Sequence, residues 1–130
     1  MLPTYRNRKM KKILIVDDDF EIREILDTYL SEHTFDTDTA ESLKIAGQKI
    51  VSYKPDLILL DMHLPDGAGN DFLREMNKKN IQIPVIMVTG IAEKEIALES
   101  IKLGASDYIT KPIDLEYLST SVVSKLMTAL

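Results

Sequence analysis

The sequence predicts an α/β fold in which five βα units wind onto both faces of one parallel sheet. Three observations carry this expectation. Strand-sized apolar runs recur along the chain and alternate with segments of helical periodicity, as βα repeats do. Three of the runs, at 13–16, 57–60 and 84–88, are continuously apolar, like central parallel strands covered on both faces. Two others, at 35–39 and 106–110, are more polar and suit the sheet edges.

The elements follow in order. The first strand, 13–16, ends on Asp17-Asp18-Asp19, and Asp19 is a suitable N-cap for the next helix. In that helix Ile22, Ile25, Leu26, Tyr29 and Leu30 recur at the spacing of a single amphipathic face. The second strand is 35–39, and residues 41–52 are helical with Leu43, Ala46 and Ile50 inward. The third strand, 56–60, runs into Asp61. A glycine-containing loop at 65–69 then leads to a helix that turns Phe72, Leu73 and Met76 inward. The fourth strand is 84–88 and its helix 93–102. The fifth strand is 106–110, followed by a helix over 114–128 that buries Leu115, Leu118, Val122 and Leu126. With strands two and five at the edges, the order 2-1-3-4-5 satisfies the pattern. This is the doubly wound, flavodoxin-like arrangement, whose ligand crevice opens between strands one and three.

Bulk properties exclude several classes. At 130 residues the chain fits one domain with a real core. With 45% hydrophobic and 28% charged residues it has a globular composition. It contains no cysteine, so disulfides and thiolate metal sites are excluded. No apolar run approaches the ~18 residues that a membrane span needs. The run at 13–16 is also too short for a signal-peptide core. A cytoplasmic protein with no membrane contact is expected. Charge is uneven: residues 1–12 hold five basic residues and no acid, so with a chain total of −5 the remainder carries −10. That balance argues against nucleic acid as a direct partner of the domain. Residues 1–11 read as a basic extension, a solvated tail that could touch phosphate, ahead of a domain at 12–130.

In a parallel sheet all strands end at one edge, and ligands bind there. Asp17 and Asp18 follow the first strand, Asp61 the third, Thr89 the fourth and Lys111 the fifth. Two carboxylates ~4 Å apart repel by about 1 kcal/mol in water and several times more when partly buried. Such a cluster must hold protons or a cation. Oxygen donors without His or Cys favour magnesium.

Taken together, Ile13-Leu14-Ile15-Val16-Asp17-Asp18-Asp19, Asp61-Met62-His63-Leu64-Pro65-Asp66-Gly67, Val88-Thr89-Gly90 and Tyr108-Ile109-Thr110-Lys111-Pro112 resemble a response-regulator receiver domain. The resemblance covers residues 12 to about 128. It implies that Asp61 accepts a phosphoryl group from a sensor histidine kinase or phosphotransfer protein. It implies magnesium on Asp17, Asp18 and Asp61 with the backbone carbonyl of His63. Lys111 would pair with the carboxylate and then a phosphoryl oxygen, and Thr89 would hydrogen-bond another. In this family the bond corresponding to Lys111-Pro112 is typically cis. Thr89, drawn toward the phosphoryl group, would vacate space for Tyr108 to enter from the surface. The change would then be relayed to the face formed by the fourth helix, fifth strand and fifth helix, and on to a downstream protein or an output domain absent from this chain.

Blander readings stand beside these. Tyr108 also reads as a plain edge-strand aromatic, and Asp19 as only a cap. The fourth helix carries Ile96, Ala97, Leu98, Ile101 and Leu103, an arc that is either a docking surface or packing plus one exposed leucine. His63 and Ile91, two residues after Asp61 and Thr89, sit where family members tune water access; His63 also reads as an exposed loop residue, and His33 has no role. Other functions fit less well. A haloacid dehalogenase-like phosphatase wants an acid two residues after its nucleophile, where His63 stands. A flavodoxin-like cofactor binder lacks its phosphate loop after the first strand, where three aspartates would repel phosphate. A binding-only receiver would not need Asp17, Asp18, Thr89 and Lys111 together.

Overall fold

Successive residues of a strand face opposite sides of a sheet, and in β1 (Lys12–Val16) both sides are covered. Ile13 and Ile15 join one apolar cluster, Leu14 and Val16 the other. The same division runs through β3 (Leu57–Leu60) and β4 (Val85–Thr89), every residue of which is buried. The structure, a computed structural model, describes residues 10–128. The basic residues Arg6, Arg8 and Lys9 therefore lie outside the described residues.

Between and beyond these strands come α1 (Phe20–Glu32), β2 (Asp36–Ala40), α2 (Leu43–Ser52), α3 (Gly69–Lys78), α4 (Lys94–Lys102), β5 (Asp107–Thr110) and α5 (Leu115–Thr128). The five strands form one parallel sheet in the order β2-β1-β3-β4-β5, as expected, with β2 and β5 at the edges. Helices α1 and α5 cover one face through Leu26, Leu30, Leu118, Val122 and Leu126. Helices α2, α3 and α4 cover the other, with Ala46, Leu73 and Met76 buried. Among the described residues no helix is long and apolar enough to cross a membrane.

Local chemistry sets the element ends. The Asp19 side chain accepts from the N–H groups of Glu21 and Ile22, which makes it the N-cap of α1. Ser42 accepts from Ile45 N–H, so α2 starts at Leu43 rather than at 41. Thr34, Lys54 and Asn80 take positive φ just past α1, α2 and α3, and Gly104 does so past α4. These left-handed residues close each helix end.

Two expectations need correction. Ile25, placed inward by periodicity, is 49% exposed. It lies with Tyr29 and Leu115 along a shallow groove between α1 and α5, because α1 seats on Leu26 and Leu30 instead. The loop at 65–69 also holds local structure. His63–Leu64 and Gly67–Ala68 pair as a short antiparallel ribbon, with Gly67 at φ +152°. Asp66 at its tip accepts the N–H groups of Leu43 and Lys44, each at 2.9 Å. Those backbone donors hold its carboxyl below the usual carboxylate range.

Edge strand β5 is tied to α5 through Asp107. Its Oδ2 accepts from Ser121 Oγ at 2.5 Å and from Tyr117 Oη at 3.0 Å. Burial pushes this carboxyl up, but the hydrogen bonds from Ser121, Tyr108 N–H and Tyr117 outweigh it, and the group titrates below its ordinary 3.8. A depressed carboxylate stabilises the fold above its unfolded pKa and loses that contribution as pH falls through the folded value. Asp107→Asn should therefore cost about 1 kcal/mol at neutral pH in urea unfolding. The deficit should shrink below pH 3.8; a deficit independent of pH would contradict the charged hydrogen-bond account.

Candidate functional site

Parallel strands deliver their carboxyl ends to one edge, and that edge gathers the predicted residues. Asp17 follows β1, Asp61 follows β3, Thr89 closes β4 and Lys111 follows β5. Asp17, Asp61 and Thr89 are buried at 2%, 7% and 1% exposure, whereas Asp18 is exposed. The Lys111 Nζ donates to Asp17 Oδ2 at 2.8 Å and to Asp61 Oδ2 at 3.1 Å. The Lys111-Pro112 bond is cis.

Each carboxylate has a second anchor. Asp61 Oδ1 accepts Met62 N–H at 2.6 Å, and Asp17 Oδ1 accepts Asp19 N–H at 2.9 Å. Arg23, one turn into α1, donates from Nη1 to the Asp17 carbonyl at 2.8 Å and so braces the peptide that carries the acid. Gly69, at the start of α3, donates its N–H to the Met62 carbonyl at 2.7 Å. A Cβ there would stand 2.5 Å from the Asp61 carbonyl oxygen and 2.9 Å from Met87 Cε. Only glycine lets the helix start this close to the Asp61 peptide. The sequence signals for Arg23 and Gly69 were weak: one base in a mixed helix, and one glycine among several.

Electrostatics at the edge are unbalanced. Burial pushes the Asp17 carboxyl up, and the Asp61 charge adds to this against the pull of Lys111 and the Asp19 N–H. Burial alone would lower Lys111, but hydrogen bonds and charge from Asp17 and Asp61 hold its ammonium above the ordinary lysine value. One oxygen from each of Asp17, Asp18 and Asp61 falls within 4.8 Å of the others. Three carboxylates against one ammonium leave about two uncompensated negative charges. Hard oxygen donors, two of them rigid and one on the solvent side, fit a magnesium ion that keeps part of its water shell. His63 lies on the ribbon just beyond Asp61, and its ring nitrogens are not among the clustered donors, which leaves its carbonyl as the candidate ligand.

On the other side of Asp61, Thr89 Oγ1 accepts Ile91 N–H at 3.4 Å and keeps its own proton for donation. Tyr108 differs from the surface position implied for an unmodified receiver. Its ring is half-buried against the apolar cluster, and its hydroxyl donates to the Ile91 carbonyl at 2.6 Å. Burial and the charges of Asp61 and Glu93 push this phenol up, so it stays a donor.

Residues 13–123 match the sequence pattern of the response regulator receiver domain. The chain belongs to that family, the receivers of two-component signal transduction. It is 39% identical over 116 residues to the response regulator protein PilR of Pseudomonas aeruginosa, covering 89% of this chain and 26% of that protein. It is 36% identical over 113 residues to the regulatory protein AtoC of Escherichia coli, covering 87% and 24%. The chain thus spans about a quarter of the length of these relatives. Among solved structures it resembles the receiver domain of the Francisella response regulator 1452, with a TM-score of 0.88, 31% identity and coverage of 92% and 99%. The BeF3-activated N-terminal receiver domain of Klebsiella pneumoniae RstA gives a TM-score of 0.84 at 31% identity, covering 89% and 98%.

Two variants probe this edge. Lys111→Met should destabilise the magnesium-free protein by about 3 kcal/mol near neutral pH, because it strands two buried carboxylates. Magnesium should then recover more stability in the variant than it adds to wild type in urea unfolding. Equal magnesium stabilisation of both proteins would count against a shared cation site. Gly69→Ala should cost about 1–3 kcal/mol by the same measurement, from overpacking against the Asp61 peptide.

Proposed function

We propose that Asp61 is the phosphoacceptor of a signalling switch in a two-component or phosphorelay system. The observation that carries this is one carboxylate, buried at the sheet edge, held between the Lys111 ammonium and Met62 N–H beside Asp17 and Asp18. A sensor histidine kinase or phosphotransfer protein is the donor. An Asp61 oxygen attacks the phosphorus in line, an O–P bond forms and the P–N bond to the donor imidazole breaks. Such a reaction asks for positioning and neutralised charge more than for acid–base chemistry.

The residues divide that work. Asp17, Asp18 and Asp61, with the His63 carbonyl, would hold magnesium, which neutralises charge on the transferring group. Lys111 is a mobile point charge that can turn from the carboxylates to a phosphoryl oxygen. Thr89 donates its hydroxyl to another oxygen. Catalysis by the domain is confined to its own phosphorylation and dephosphorylation, with His63 and Ile91 flanking the approach of water.

The output lies on the α4, β5 and α5 face, linked to Thr89 through Ile91 and Tyr108. Leu98 and Ile101 on α4 are 49% and 46% exposed, so its apolar arc leaves two residues outward. We take residues 12–130 as the receiver, 1–11 as its basic extension, the cytoplasm as its location, and a protein target or an output domain as the recipient of the signal.

Intact mass after incubation with acetyl phosphate provides the test. Wild type with magnesium should gain one phosphoryl group; magnesium-free protein and Asp61→Asn should gain none. Equal gain by Asp61→Asn would remove Asp61 from the role.

A further inference from the structure

A buried polar clasp joins α3 to α4, and none of the receiver chemistry above uses it. Asn70, the second residue of α3, is 4% exposed, and Ser100 of α4 is fully buried. The Ser100 hydroxyl donates to Asn70 Oδ1 at 2.7 Å, and Asn70 Nδ2 donates to Glu99 Oε1 at 3.1 Å. Arg74, one turn along α3, closes the outer side by pairing with Glu99. A cleft of about 470 Å³ runs beside this contact, bounded by His63 and Ile91 at the acceptor end.

Three features make the clasp more than packing. First, it begins one residue after Gly69, whose N–H holds the Met62 carbonyl and where a Cβ would strike the Asp61 carbonyl oxygen. Any shift of the acceptor loop therefore moves Asn70. Second, α4 is fixed at its other end by the Tyr108 hydroxyl on the Ile91 carbonyl, just ahead of the helix. The helix hangs between an anchor on the Asp61 side and an anchor on the Thr89 side. Third, the Ser100 hydroxyl has one proton and two acceptors in reach, Asn70 Oδ1 at 2.7 Å and its own-helix Ile96 carbonyl at 3.1 Å. Release from Asn70 leaves Ser100 satisfied within α4, as serine in a helix can be. This contact has one register in which the buried amide is satisfied, and a ready means of letting go.

We propose that Asn70 is a positioning residue: through Ser100 it fixes the register of α4 relative to the Asp61 loop and couples occupation of the acceptor site to the Ile91–Tyr108 contact. The inference rests on the receiver reading proposed above. Phosphoryl-group binding favours the clasped register, with Tyr108 inside, and the clasp in turn strengthens that binding.

The test uses the full chain with magnesium and beryllofluoride, a stable mimic of the phosphoryl group. Apparent dissociation constants and the amide resonances of Ile91 and Tyr108 are followed by NMR in wild type, Ser100→Ala, Asn70→Ala and the double variant, with thermal melting beside them. Ser100→Ala changes one atom, so it keeps the test open if Asn70→Ala fails to fold. Each single variant should weaken beryllofluoride binding by about fivefold or more, the size of a typical coupling between sites. The double variant should be no weaker than the singles, since both remove one unit. The shift at Tyr108 on saturation should shrink in all three. Lowered melting with unchanged affinity and an unchanged Tyr108 shift would reduce the clasp to packing and overturn the proposal. Failure of wild type itself to bind beryllofluoride would instead overturn the phosphoacceptor reading of Asp61.

Discussion

One ammonium among three carboxylates sets the terms for this molecule. Lys111 meets Asp17 and Asp61 across 94 and 50 residues of sequence. Strands in a sheet stand about 4.8 Å apart, and β5 is separated from β1 by β3 and β4. A long, unbranched stem is needed to cover that distance and still end in a point charge. The parallel arrangement makes the meeting possible, because only then do all four strand ends face the same way. The edge strand at β5, tied to α5 by Asp107, fixes where the lysine departs.

The price of the arrangement is an acidic edge that the fold by itself does not satisfy. Burial raises Asp17, and a single lysine serves two carboxylates. Sites that break the local rules of stability in this way are commonly functional. The surrounding backbone is correspondingly rigid. Asp61 leans on its neighbour's N–H, Arg23 holds the Asp17 carbonyl, and Gly69 brings a helix start against the Asp61 peptide. Excess negative charge in a stiff frame leaves little room for rearrangement and a strong demand for a cation.

Much of this was legible in the sequence because it follows from short-range pattern. Fully apolar runs marked β1, β3 and β4 as central, and polar runs marked β2 and β5 as edges. An acid or hydroxyl directly after such a run had to lie at the sheet edge, which located Asp17, Asp61 and Thr89. What stayed hidden depends on contacts between distant segments. Ile25 satisfies the helical period yet faces solvent, since the seat of α1 is decided by Leu26 and Leu30. Thr34 and Lys54 end helices in a left-handed conformation that their residue types do not advertise, whereas Asn80 is of a type common there. Asn70 and Ser100 sit on separate helices, and nothing in either local sequence announces the other. The inward place of Tyr108 rests on its hydroxyl reaching the Ile91 carbonyl, a contact between separate segments that periodicity does not report.

The hold of Asp66 on the first turn of α2 has a mechanical corollary. Asp66 lies five residues beyond Asp61 and grips the opposite flank of the domain from Thr89 and Tyr108. The half of the molecule formed by β2, β1 and α2 is thereby bolted to the acceptor loop by two backbone N–H groups. The half beyond β4 is joined to it by side chains: Lys111 to Asp61, and Ser100 and Glu99 to Asn70. Sheet pairing apart, one flank of the Asp61 loop is held through main-chain donors, and the other through side chains such as Ser100 that have a second partner within reach.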